Sequence, residues 1–161
     1  MIRPVTANDA AALCGIYNYY ITNTVITFEE EELKPAAMET RIRDIAGEFP
    51  WLVWEDGGEV LGYAYAHKWH VRAAYRFSAE DSIYLRHDVL GRGIGRQLLG
   101  RVIAELRKTD IHVLMSVITI PNERSAALHE SFGFKKAAEF REIGYKMNRW
   151  LDVGYWELLL L

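Results

Sequence analysis

The chain has 161 residues, half of them apolar and a quarter charged, with a formal net charge of −3. That balance is typical of a folded globular chain about one domain long, and it excludes intrinsic disorder. It offers no electrostatic basis for binding nucleic acid or an anionic membrane surface, and the lone Cys14 excludes an internal disulfide.

In chain order, Met1-Ile2-Arg3-Pro4 leads straight into patterned sequence with no apolar signal segment, so a cytoplasmic setting is expected. Residues 2–5 read as a short strand. Thr6 and Asp9 resemble a capping box, and Ala10, Leu13, Ile16, Tyr17 and Tyr20 follow at helical spacing. Cys14 falls among those apolar positions, where a structural thiol is expected. Residues 23–30 form a loop rich in polar and aromatic groups. Pro35 suits the first turn of a second helix with Met38, Ile42 and Ile45 on its apolar face.

Residues 51–54 and 60–66 read as strands flanking Asp56-Gly57-Gly58, a hairpin signal. After an irregular stretch, a strand begins at Ser82 and runs to Leu85. Gly91, Gly93 and Gly95 interrupt it before a helix with Ile94, Leu98, Leu99, Val102, Ile103 and Leu106 on one face. Residues 111–118 are β-branched and almost continuously apolar, as in a strand buried on both faces; the run is too short and too polar to cross a bilayer. Residues 122–132 read as a helix stopped by Gly133, and residues 137–143 and 155–160 as two final strands. With no internal repeat or linker, the pattern predicts one α/β domain over residues 1–161.

The most informative segment is Leu90-Gly91-Arg92-Gly93-Ile94-Gly95-Arg96, set between a strand and an amphipathic helix. Alternate glycines let the backbone turn sharply and bring its amides close to a ligand. The following helix adds unpaired N–H groups and the positive end of its dipole, which favour a phosphate. Between residues 86 and 108 six cations face two carboxylates, a local net charge of +4 within a chain of −3. A bound pyrophosphate suits that field. No Lys-Ser/Thr pair follows, so the loop is not a Walker sequence, and the lack of a repeated βαβ pattern argues against a dinucleotide fold.

Ser82-Ile83-Tyr84-Leu85, the glycine loop, Asn122 and Leu128-His129-Glu130-Ser131-Phe132-Gly133-Phe134 resemble the GNAT N-acetyltransferases. Three further segments are similar to the phosphinothricin and methionine sulfoximine/sulfone acetyltransferase group: Asn23-Thr24-Val25-Ile26-Thr27-Phe28-Glu29-Glu30, Tyr75-Arg76-Phe77-Ser78-Ala79-Glu80 and Gly144-Tyr145-Lys146-Met147-Asn148-Arg149-Trp150-Leu151-Asp152. Two positions depart from the pattern: Leu90 stands where Arg or Gln is usual, and Asn148 where Gly is usual.

The resemblance implies a single mixed central sheet with splayed middle strands, flanked by helices, and acetyl-CoA as cosubstrate with no metal. Ile83, Tyr84 and Leu85 are implied to bind the pantetheine arm through their backbone. Gly91, Arg92, Gly93, Ile94, Gly95 and Arg96 are implied to hold the pyrophosphate, and Asn122 the arm from the facing side. Glu80, placed just before the cofactor strand, is the implied base that frees the acceptor amine. His129 is implied to protonate the leaving thiolate, to hydrogen-bond the cofactor sulfur or to fill the pocket wall. Arg72, Tyr75 and Arg76 are implied to meet an acceptor carboxylate, Phe28 and Glu30 to form the opposite wall, and Lys146 to reach a neighbouring subunit's site in a homodimer. The acceptor expected is a small amino-acid-like amine. Two other readings stay open on the same scaffold: acetylation of a protein N-terminus or antibiotic amine, and a non-catalytic CoA-binding sensor.

Overall fold

The computed structural model describes residues 1–160. Strand β1 (Ile2–Pro4) leads through a 3-10 turn into helix α1 (Ala10–Asn23), followed by α2 (Pro35–Ala46), β2 (Trp51–Asp56), β3 (Glu59–Lys68), β4 (Ser78–Leu85), α3 (Ile94–Leu106), β5 (Val113–Ile120), α4 (Glu123–Glu130), β6 (Lys135–Lys146) and β7 (Arg149–Leu159). The seven strands form one sheet in the order β1-β2-β3-β4-β5-β7-β6. All neighbours are antiparallel except β4 and β5.

Strand alternation sends side chains to two faces, and each face has its own helices. Trp51, Val53 and Tyr63 pack with Leu13, Tyr17 and Ile21 of α1 and Met38 and Ile42 of α2. On the opposite face Leu52, Ala64, Ala66 and Leu114 pack with Leu98, Leu99, Val102 and Leu106. All six residues expected on the apolar stripe of α3 are buried. Each such side chain withdrawn from water stabilises the fold by about 1.5–3 kcal/mol.

Three expectations need correction. Strand β4 begins at Ser78, four residues before the expected start, because residues 78–80 pair with β5 and residues 79 and 80 pair with β3 as well. Glu80 therefore lies within the cofactor strand. Strand β5 is not uniformly buried on both faces: Leu114, Ser116, Ile118 and Thr119 are buried, and the residues between them are half-covered. The two last strands are also much longer than expected, because residues 144–152 form their hairpin. Its two-residue turn, Met147-Asn148, has φ of 51° and 59°; both central residues left-handed is the geometry that suits a tight hairpin. Asn tolerates that conformation, so the glycine expected before Arg149-Trp150 is dispensable.

Candidate active site

The site originates in a break in the sheet. Strands β4 and β5 pair only at Ser78–Val113, Ala79–Leu114 and Glu80–Met115. Beyond that point β4 stays bonded to β3 as far as Leu85, and β5 to β7 as far as Ile120. The facing edges of residues 81–85 and 116–120 therefore part without pairing, and their peptide groups line a notch. Tyr20 donates from its hydroxyl to the Leu85 carbonyl at 2.6 Å, fixing the outer end of β4 to α1.

A cleft of about 440 Å³ occupies the inner part of the notch, lined by Thr27, Phe28, Glu80, Asp81, Ser116, Thr119, His129 and Tyr155 among others. A groove of about 340 Å³ runs outward from it past Leu85, Leu90, Gly91, Gly93, Gly95, Arg96 and Arg124. Ile26, Ile83, Tyr84, Asn122 and Ser125 line both, so the two form one channel.

The glycine loop forms the outer end. Gly91 and Gly93 have φ of +81° and +77°, and Gly93 caps α3 in the left-handed conformation. A side chain there would be strained whatever the space around it. The turn leaves the first amides of α3 facing the groove, beside the positive end of its dipole. Arg96 donates to the Ser131 hydroxyl at 2.8 Å and lies over the Phe132 ring. Arg92 is exposed and sits 3.8 Å from Asp56. Leu90 lines the groove with an apolar side chain. Arg124, in the first turn of α4, had no signal in the sequence, yet its guanidinium lies against Gly91, 3.3 Å from where a Cβ would stand. Asn122 caps α4 by accepting from the Ser125 amide at 3.2 Å. These features fit a diphosphate on an extended arm: peptide edges along the notch, then amides and guanidinium groups at its mouth.

At the inner end Glu80 is three-quarters buried, and burial, followed by the charge of Asp81, pushes its carboxyl up to about 7. Its Oε2 is 3.9 Å from His67 Nε2, whose own value is lowered by burial. A carboxyl that titrates near neutrality is suited to accept a proton at neutral pH. His129 is 3% exposed, and both of its ring nitrogens are engaged. Its Nδ1 donates to the Ser125 carbonyl at 2.7 Å, and Nε2 lies 2.9 Å from Asp81 Oδ2. Asp81 is a site residue that the sequence reading missed.

The acceptor wall departs from expectation at Glu30, at Lys146 and at the segment carrying Arg72, Tyr75 and Arg76. Phe28 does line the cleft, its ring seated on Gly144, where any side chain would collide with it. Glu30, however, is exposed and outside the cleft lining. Its neighbour Glu29 is half-buried and likewise outside the cleft lining, held below its usual range by a bidentate pair with Arg41 and also bonded by the Tyr17 hydroxyl. The Thr27 hydroxyl is 2.8 Å from that of Tyr17. Lys146 does not extend outward toward a neighbour: it is buried, and its ammonium donates to the Thr27 carbonyl of its own chain at 2.7 Å. Arg72, Tyr75 and Arg76 lie exposed on the segment before β4, outside the cleft lining, with Arg76 turned over the Phe77 ring.

Comparison with known proteins agrees with this geometry. The family model described as the acetyltransferase (GNAT) domain matches residues 2–154. The chain is 35% identical over 156 residues to a phosphinothricin N-acetyltransferase of Streptomyces viridochromogenes, covering 97% of this chain and 85% of that one. It is 34% identical over 164 residues to the L-methionine sulfoximine/L-methionine sulfone acetyltransferase of Salmonella typhimurium, covering 99% and 94%. An acetyltransferase from Salmonella typhimurium, solved with its cofactor acetyl-CoA, superposes with a TM-score of 0.98 at 32% identity, over 100% of this chain and 94% of that one. A sheet parted between its middle strands, a glycine turn at the mouth of the gap and this family match together make the chain a member of the GNAT acetyltransferase family.

Proposed function

We propose that this N-acetyltransferase transfers the acetyl group of acetyl-CoA directly to the amine of a small amino-acid-like acceptor of the phosphinothricin, methionine sulfoximine or methionine sulfone type, with Glu80 as the base. The observation that carries the reading is Glu80 itself: a carboxyl inside the cleft, titrating at about 7, in a chain whose relatives are named for such acceptors.

When bound, acetyl-CoA supplies an acetyl thioester. The peptide edge of Ile83, Tyr84 and Leu85 holds the arm, with Asn122 on the facing side. The amides from Gly91 to Arg96 receive the pyrophosphate, with Arg124 closing the mouth where Leu90 offers no polar contact. An amino group is largely protonated at neutral pH, so the acceptor arrives as an ammonium ion. Glu80, ionised above about 7, takes that proton and leaves the nitrogen lone pair free to attack the thioester carbonyl; as the C–N bond forms the C–S bond would break, and coenzyme A would leave as a thiolate that takes up a proton to become the free thiol. Phe28, seated on Gly144, walls the acceptor side.

The chain is further proposed to work as a homodimer, because Val71, Tyr75, Phe77, Tyr145, Met147 and Trp150 all stand exposed on the segment before β4 and on the last hairpin. Large exposed apolar groups of this kind mark association surfaces.

Steady-state thiol release with phosphinothricin, methionine sulfoximine and methionine sulfone tests the activity. Turnover with at least one of them is expected; tight acetyl-CoA binding with no turnover on any would replace the enzyme with a sensor. Light scattering tests the dimer.

A further inference from the structure

Strand β4 carries two adjacent acids at the vertex of the notch, and only Glu80 has a place in the proposed reaction. Asp81 is the first residue of β4 beyond its pairing with β5. Its side chain is 3% exposed, and its partner across the gap is His129 of α4. The central strands are no longer paired at this depth, so the contact ties β4 to α4, the helix that follows β5, just where the hydrogen bonds between the two strands stop.

The proton count of the pair follows from its geometry. A carbonyl oxygen only accepts, so the 2.7 Å contact from Nδ1 to the Ser125 carbonyl requires a hydrogen on Nδ1. The opposite nitrogen, 2.9 Å from a carboxylate oxygen, completes an imidazolium held between two acceptors. Burial alone would oppose that charge, but Asp81 and the Ser125 carbonyl outweigh it, and the ring's affinity for its proton is raised. Phe134 stands edge-on to the ring at 5.0 Å, and Glu130 is turned away to Trp156 Nε1 at 3.0 Å. Neither ring nitrogen has a hydrogen free to point into the cleft.

We propose that Asp81 and His129 are a positioning pair: a buried carboxylate–imidazolium strut that fixes α4 against β4 where the central strands part and neutralises Asp81 beside Glu80, taking no part in bond making itself. The strut stands on geometry alone, while its effect on rate rests on the assignment of Glu80 as base.

The groups facing Glu80 are His67 and Tyr65 from β3 and Asp81 on its own strand, with Tyr155 lining the same cleft; its β5 partner, Met115, has no charge. Asp81 disfavours ionisation of Glu80, and His129 offsets part of that. Removing the cation should make Glu80 harder to ionise, and removing the Asp81 charge should make it easier. A group that only filled space would shift neither.

The test combines ring-nitrogen NMR with pH–rate profiles on the full chain. In the wild type, both nitrogens of His129 are expected in the protonated range at pH 7; in Asp81→Asn the ring should lose its proton at a lower pH than in the wild type. With methionine sulfone as acceptor, the acid limb of kcat/KM should move up by roughly one pH unit in His129→Gln and down in Asp81→Asn, with the double variant between them. A neutral ring in the wild type at pH 7 overturns the proposal. So does an acid limb unmoved in both variants, or a His129→Gln loss confined to the basic limb, which would make His129 a proton donor. If Glu80→Gln keeps the wild-type acid limb, the base assignment fails, and the NMR result still judges the strut. The wild-type spectrum needs no variant to fold.

Discussion

The two ends of the channel are built from different materials. The outer end is mostly backbone: parted strand edges, two glycines with positive φ and the first amides of α3. The inner end is made of side chains drawn from distant segments. Glu80 and Asp81 come from β4, His129 from α4, and Phe28 sits on Gly144 while Lys146 bonds the Thr27 carbonyl. A backbone site recognises the feature common to many reactions, here the cosubstrate. A side-chain site recognises what differs between them, and changing it should alter the acceptor while sparing the cofactor.

The largest expected effect falls at the inner end. Glu80→Gln should lower kcat/KM by about 10²- to 10⁴-fold while leaving acetyl-CoA affinity in place, as read by steady-state kinetics and calorimetry. The same variant should be more stable at high pH. Burial raises this carboxyl from 4.5 to about 7, so the native state keeps a proton that the unfolded chain has already released. Wild-type stability therefore falls as pH rises from 4.5 to 7, and the deficit is complete above that. At pH 8 the variant should gain up to about 3 kcal/mol in urea unfolding; equal stability would show that Glu80 is not held in a dry site.

The outer end is probed next. Gly93→Ala forces a side chain into the left-handed region and should weaken acetyl-CoA binding roughly tenfold by calorimetry, a cost of about 1–2 kcal/mol. Gly144→Ala displaces the Phe28 ring and should raise the acceptor KM about fivefold with the acetyl-CoA KM unchanged; a parallel rise in both would erase the division between the two ends. The smallest effect is expected for Arg92→Ala, within about threefold in acetyl-CoA affinity, because that guanidinium is exposed and only loosely paired.

The same division explains what could be read from sequence. Gly91, Gly93 and Gly95 before an apolar stripe mark a turn into a helix because local conformation depends on local residues. The α3 stripe is buried as its spacing predicts. Asp81 and His129 are 48 residues apart, and Thr27 and Lys146 are 119 apart. No local pattern records such meetings. Glu29 and Glu30 are adjacent in a run of acids, and which of them is half-buried depends on Arg41 and Tyr17, contributed by two helices. Strand β4 hid its start for a related reason: Ser78-Ala79-Glu80-Asp81 has little β character of its own and is held extended by pairing, Ala79 and Glu80 on both sides, Ser78 with β5 and Asp81 with β3.

Three paired positions are a short seam for a sheet of seven strands. A ligand that lies along the open part of that seam takes up peptide groups that would otherwise bond only to water, much as an added strand would. Occupancy should therefore be felt as firmness of the whole domain: amide exchange at residues 81–85 should slow, and resistance to heat should climb with ligand concentration, by about 2.7 kcal/mol at a hundredfold excess over Kd. A cell rich in acetyl-CoA would hold this protein in a sturdier form than a starved one.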